Sequence, residues 1–194
     1  AVTAVDPSTS FVAAVRRRLP DVDVQQARAE RLPFADEAFD LVLAQLVVHF
    51  MDDPEAGIAE MARVTRPGGV VAACVWDHAG GLGPLTVLWR AVRDLDPSVR
   101  DESGMPGVRA GHLVELFQNA GLHPVAQGTL TVSASFADVD AWWRPFTLGV
   151  GPAGAYVATL DPDHRESLRA RCAELLPQAP FTVEATAWTA MART

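Results

Sequence analysis

A carboxylate that closes a short apolar run is the first residue with chemistry to offer in this 194-residue chain. Ala1-Val-Thr-Ala-Val5 is apolar and partly β-branched and stops at Asp6-Pro7-Ser8, so it reads as a strand handing over to a turn and a helix start. An acid at the C-terminal end of a strand can accept two hydroxyl hydrogen bonds in the crevice where doubly wound sheets bind ligands. The same Asp-Pro pair is also an ordinary turn former. Two histidines occupy comparable places: His49 follows the apolar run that begins at Phe39, and His78, beside Asp77, follows the run 70–76. An imidazole there can take a proton from a hydroxyl or a carbon acid, or it can be a structural ring bonded to backbone. Trp76, Trp89, Trp142 and Trp143 are candidate walls for an apolar or aromatic acceptor, or plain core. Gly149-Val-Gly151-Pro-Ala-Gly154 fits G-x-G-x-x-G, but what precedes it makes a poor parallel strand, so a lid or turn is the better reading.

The elements that must position these residues alternate. Phe11, Val12, Val15 and Leu19 share a helical face over 9–19, ended by Pro20, and Val22–Gln26 is strand-like. Phe39–Ala44, continuing through Val48, reads as a buried strand. Asp52 or Asp53 caps a helix opened by Pro54 and running to Thr65, and Arg66-Pro67-Gly68-Gly69 ends it sharply before a strand over 70–76. Strands 1–5, 22–26, 39–46 and 70–76 are expected in one layer, a doubly wound, mainly parallel α/β sheet with right-handed crossovers. One domain over 1–194 is the default, with 77–111 and 138–160 as inserted helical cap segments over the substrate. Between them a helix over 113–120 and a strand over 125–135 resume the rhythm, and a helix ending at Pro177 and a strand over 181–192 close the chain.

Composition excludes several classes. The chain is 49% hydrophobic and 21% charged, which argues against disorder as its main state. Its net charge is −8 with the basic residues scattered, so phosphate backbones find no footprint and nucleic acid is not an expected partner. No apolar run approaches the roughly 18 residues of a membrane helix, and no export signal is visible, so no membrane partner and a cytoplasmic location are expected. Cys74 and Cys172 match no metal-ligand spacing, so no metal is expected and both are read as buried thiols.

Four segments in order carry a resemblance: Val5-Asp6-Pro7-Ser8; Ala29-Glu30-Arg31-Leu32-Pro33-Phe34 followed by Phe39-Asp40-Leu-Val; Val48-His49-Phe50; and Arg63-Val64-Thr65-Arg66-Pro67-Gly68-Gly69. Together they resemble the class I S-adenosylmethionine-dependent methyltransferases, in particular the small-molecule subgroup similar to ubiquinone-biosynthesis enzymes, with a Rossmann-like fold. The resemblance implies S-adenosylmethionine as cofactor and a small-molecule acceptor, with Asp6 on the ribose hydroxyls and Pro7 and Gln45 beside the cofactor. It also implies Arg28-Ala29 at the position that usually supplies an acidic side chain and a backbone amide to adenine. Arginine has no acceptor. Either Glu30 substitutes, or the Ala29 backbone and apolar packing hold the ring, or the pocket is degraded. In the family the glycine-rich turn and its strand precede the acidic residue, so the resemblance implies an N-terminally incomplete fold lacking that strand and motif, with an unpaired edge on the Phe39–Val48 strand. His49 and His78 are the candidate catalytic residues, and a homodimer is within expectation. A non-catalytic methyltransferase-like binding module is the alternative. A nicotinamide-dependent oxidoreductase shares the strand-end acid but not the Arg66–Gly69 element.

Overall fold

In the computed structural model, which describes residues 1–194, β1 (Thr3–Asp6) leads through a turn into α1 (Thr9–Arg18) and β2 (Asp23–Gln26). Ser8 Oγ accepts the Phe11 amide at 3.4 Å and caps α1. The two strands pair in parallel with Asp6 opposite Gln26, so α1 is the crossover. Arg16 ties the helix to β2, donating to the Val24 carbonyl at 2.6 and 3.2 Å.

A second parallel pair follows. β3 (Phe39–Gln45) is joined to β4 (Thr65–Trp76) through α2 (Pro54–Val64), where Asp53 accepts the Ala56 amide at 3.0 Å and Pro54 occupies the first turn. β3 stops at Gln45, short of the Val48 expected from its apolar run. The cause is Leu46, which sits at φ +58° and donates its amide to the Cys74 carbonyl at 2.9 Å, turning the chain into a 3₁₀ turn over Val48–Phe50.

Arg66–Gly69 also departs from expectation, because it belongs to β4 and is not a loop before it. The register with β3 jumps from Phe39 opposite Thr65 to Leu41 opposite Val70, so these four residues bulge out of the ladder. They pair with the chain's last residues instead: Gly68 N donates to Thr194 O at 2.8 Å and Thr194 N to Gly69 O at 3.3 Å.

The chain forms two compact units. The first comprises residues 1–75, 111–128 and 189–194 and contains the elements above up to Val75, with α4 (His112–Asn119) packed on α2. Ile58, Met61 and Val64 of α2 and Leu113, Leu116 and Phe117 of α4 are buried there. The second comprises residues 76–110 and 129–188 and includes the expected cap segments up to Ala110. It holds α3 (Thr86–Leu95), α5 (Val139–Trp143), α6 (Gly151–Thr159) and α7 (Pro162–Leu175) around a core of Leu88, Trp89, Val92, Trp142, Trp143 and Leu168.

Two long strands, β5 (Pro124–Phe136) and β6 (Phe181–Arg193), complete a four-stranded sheet in the order β3-β4-β6-β5. Gly68 pairs with Thr194 while Asp77 N donates to Thr186 O at 2.9 Å, so β6 is antiparallel to β4 and the sheet is mixed. The fold class is α/β as expected, but the single layer is not: β1-β2 and β3-β4-β6-β5 are separate hydrogen-bonded sheets. The physical reason is that β1 and β3 each have a ladder partner on one side only, and the chain offers no strand that pairs with both.

Candidate functional site

Asp6 and the loop that bears Ala29 stand at the same end of the β1-β2 pair, because parallel pairing sets Asp6 opposite Gln26 and its carbonyl accepts the Ala27 amide at 3.2 Å. The Asp6 Oδ1 accepts the Ser8 amide at 2.7 Å, fixing the carboxylate's orientation and leaving Oδ2 for a ligand. Gln26 Nε2 donates to the Pro7 carbonyl at 3.1 Å and ties the β1–α1 turn to β2. Ala29 lies in a turn closed by the Arg31 amide on the Arg28 carbonyl at 3.2 Å, and its own amide makes no hydrogen bond within the chain.

Around Ala29 the charged side chains are occupied. The Arg28 guanidinium pairs with Asp52 and lies 3.6 Å from Glu30. Glu30 Oε1 accepts the amides of Asp52 at 2.8 Å and Asp53 at 3.4 Å. Burial opposes ionisation of Glu30, but its own amide, those of Asp53 and Asp52, and the Arg28 charge outweigh it and hold the carboxyl below its ordinary range. Met51, Asp52 and Asp53 thus form a second loop that props the first. Sequence reasoning saw in the two aspartates only a helix cap, because a contact over 22 residues leaves no local pattern. Gly57 permits the approach: a Cβ there would lie 2.5 Å from the Met51 sulfur and 3.5 Å from the Ala29 Cβ.

Gln45 is exposed at the end of β3, opposite Cys74. His49, in the 3₁₀ turn that follows, is 3% exposed and its ring lies 3.9 Å from that of Phe50, centroid to centroid.

In the second unit, Asp77 is buried with Oδ1 on the Gly80 amide at 2.7 Å. The neighbouring His78 is half-buried; burial pushes its pKa below the ordinary imidazole value against the opposing pull of Asp101 and Asp77. Gly83 makes room for the ring, since a Cβ there would come within 2.8 Å of His78 Nδ1. Asp101 is paired with Arg93 and accepts the Ser103 amide at 2.9 Å. Trp89, Trp142 and Trp143 are buried in the core, with Trp89 5.9 Å from Tyr156 and Trp142 4.8 Å from Phe146 between ring centroids; Trp76 is partly exposed. The Gly149–Gly154 segment follows a 3₁₀ turn over Arg144–Leu148 and no strand; Gly149 and Gly151 are left-handed, and a Cβ on Gly154 would sit 3.0 Å from the Gly149 carbonyl carbon. It is a tight turn into α6 and lacks the strand that a dinucleotide loop requires.

Residues 1–73, which carry Asp6, Ala29, Gln45 and His49, match the methyltransferase-domain family. A demethylmenaquinone methyltransferase of Renibacterium salmoninarum is 38% identical over 77 residues, 40% of this chain and 32% of that protein. The uncharacterized protein YafE of Escherichia coli is 32% identical over 127 residues, 63% of this chain and 59% of that one. The matched part of the chain thus spans about a third of the demethylmenaquinone methyltransferases it resembles. Among solved structures, a Bacillus halodurans protein assigned as a methyltransferase superposes with a TM-score of 0.60 at 15% identity, covering 99% of this chain and 82% of that one. The [4+2]-cyclase SpnF superposes with a TM-score of 0.53 at 19% identity, covering 99% and 66%. Residues 1–73 thus resemble the methyltransferase-domain family in sequence, and the fold of the chain resembles that of the Bacillus halodurans protein.

Proposed function

We propose that this chain holds the adenosine half of S-adenosylmethionine through Asp6 and Ala29 and serves methyl transfer to a small organic acceptor. The observation that carries the reading is the Asp6 carboxylate, oriented by Ser8 with Oδ2 free, at the C-terminal end of β1 within the segment that matches the methyltransferase-domain family. The residues fit the adenosine end: Oδ2 can accept from ribose hydroxyls, and the Ala29 amide can donate to a ring nitrogen of adenine. Glu30 and Arg28 serve it indirectly by holding the Ala29 turn against the 51–53 loop. When bound, the cofactor supplies an already activated methyl group, so alignment contributes more than covalent catalysis.

Of the two candidate histidines His78 is the less buried, and burial favours its neutral form, the form that can take a proton. The names of the demethylmenaquinone methyltransferase relatives support an acceptor of the quinone type. The two free cysteines, one of them buried Cys172, support a cytoplasmic setting.

The test is transfer of labelled methyl from S-adenosylmethionine to a panel of quinols and phenols. Wild type is expected to label at least one, and Asp6→Ala to lose most of that transfer while melting normally. Cofactor binding without transfer to any acceptor would favour the non-catalytic binding module. No binding at all would remove the site.

A further inference from the structure

β5 is the outer strand of the four-stranded sheet, paired with β6 on one side only. It runs Pro-Val-Ala-Gln-Gly-Thr-Leu-Thr-Val-Ser-Ala-Ser-Phe, and every residue between its two ends is exposed. Edge strands are ordinarily blunted by charge, internal proline, bulges or brevity. β5 has thirteen residues, no charge, and proline only at its first position.

The pairing with β6 fixes which way its side chains face. Thr131 Oγ1 meets Thr186 Oγ1 at 2.9 Å, Ser135 Oγ meets Thr182 Oγ1 at 3.1 Å, and the Phe136 and Phe181 rings lie 5.8 Å apart. These pairs step oppositely along an antiparallel ladder without a bulge. One face therefore carries the hydroxyls of Thr131, Ser133 and Ser135. The other aligns Leu130 and Val132 with Ala187 and Ala185 of β6. Those alanines are 3% and 6% exposed, whereas Leu130 and Val132 are 59% and 56% exposed. The apolar face runs off the edge of the sheet uncovered.

We propose that a second copy of this chain completes the sheet, with β5 pairing antiparallel to β5 about a two-fold axis normal to the sheet. Such an axis keeps each face on its own side, so Leu130 meets its own copy while Thr131 lies opposite the partner's Thr129 and Val132 opposite the partner's Gly128. Charge selects this surface for self-association. A chain of net charge −8 opposes its own copy at most surfaces, but an antiparallel pair of β5 strands sets only uncharged residues against one another. The other exposed edge, β3, carries Asp40 paired with Arg66 beside the exposed Leu41 and Leu43, which makes it the poorer match for a copy of itself. Full overlap of two β5 strands places the axis at Leu130, the middle residue. The roughly 600 Å² per partner at the small end of specific interfaces is about 45 Å² from each strand residue, a demand that largely exposed side chains can meet.

Sedimentation equilibrium tests this. Wild type is expected to dimerise at concentrations up to about 0.1 mM. Leu130→Lys and Leu130→Glu should each weaken the dimer roughly 30-fold or more through like charges at the axis. An equimolar mixture of the two should recover a mixed dimer, and Leu43→Lys should leave the wild-type dimer unchanged. Thermal unfolding establishes that each variant is folded, which substitution of an exposed side chain permits. A monomeric wild type, a dimer that survives both Leu130 variants, a mixture that stays monomeric, or a dimer lost through Leu43→Lys would each overturn the proposal.

Discussion

The Glu102 carboxylate accepts the indole N–H of Trp89 at 2.6 Å, and both residues are buried in the second unit. Burial raises the Glu102 pKa above its ordinary 4.5; the Trp89 hydrogen bond opposes the rise and the charge of Asp101 adds to it. The folded chain thus keeps this proton over a pH range in which the unfolded chain has lost it. Its stabilising contribution is complete below 4.5 and is lost as pH rises through the raised value. Glu102→Gln retains an acceptor oxygen for Trp89 and does not ionise. Its melting temperature should exceed that of wild type by a few degrees at pH 7, the difference closing below pH 4.5; a pH series of melting curves checks both the sign and the closure.

Arg63 clamps the loop that follows Ala29 to α2. It donates to the carbonyls of Leu32 at 3.2 Å and Phe34 at 2.9 Å, to Asp36 at 2.7 Å and to Glu60 at 2.6 and 2.8 Å, while Glu60 accepts the Leu32 amide at 2.8 Å. The Arg63 hydrogen bond lowers the Glu60 pKa against the effect of burial, with help from the Leu32 amide. The sign is opposite to that of Glu102: this stabilisation is present above 4.5 and disappears as pH falls through the lowered value. Arg63→Lys keeps the charge but loses the planar fork. It should lower the melting temperature by several degrees at pH 7, and by progressively less as pH falls through the lowered Glu60 value, as melting curves over a pH series check.

Gly69 and Gly104 should respond in contrasting ways to alanine. A Cβ at Gly69 would lie 2.5 Å from Thr65 Cγ2, 2.8 Å from the Arg66 carbonyl oxygen and 2.9 Å from that of Asp40, whereas one at Gly104 meets nothing within 4 Å. Backbone oxygens cannot swing aside as a side chain can, so Gly69→Ala should cost about 1–3 kcal/mol in denaturant unfolding. Gly104→Ala should stay within about 0.5 kcal/mol of wild type.

Much of the scaffold was legible because its signals are local. Ser8 before α1, Asp53-Pro54 opening α2 and the apolar spacing of Leu113, Leu116 and Phe117 in α4 each act within a few residues, and each element lies where its pattern puts it. The misses are long-range. Nothing near Arg66–Gly69 announces that it pairs with Thr194, and an apolar run cannot show that Leu46 turns left-handed. At the candidate site the strand-end position of Asp6 was readable from a turn signal. The commitment of Glu30 to the 51–53 amides was not, since two loops far apart in sequence make that bond. The tryptophans suggested a ligand wall by composition; packing puts three of the four in the core.

The pattern of free and occupied groups around Asp6 predicts how the chain ranks ligands. Glu30 Oε1 is held by two backbone amides and Arg28 by two carboxylates, so neither is available to a nucleoside without breaking bonds inside the chain. The Asp6 Oδ2 and the Ala29 amide are available, and both address adenosine. Two such contacts, at about 1–2 kcal/mol each, correspond to millimolar or weaker binding. Adenosine and S-adenosylmethionine should therefore bind this chain with dissociation constants within about threefold of each other, since both present the same groups to these contacts. Asp6→Asn keeps an oxygen for the Ser8 amide but loses the charge, and should weaken both ligands equally. Glu30→Gln should lower the melting temperature and leave the ratio of the two affinities unchanged. Ligand-observed saturation-transfer NMR reads the affinities, and thermal unfolding reads the melting temperature. S-adenosylmethionine binding more than about tenfold tighter than adenosine would mean that the chain grips the methionine end with residues outside this constellation.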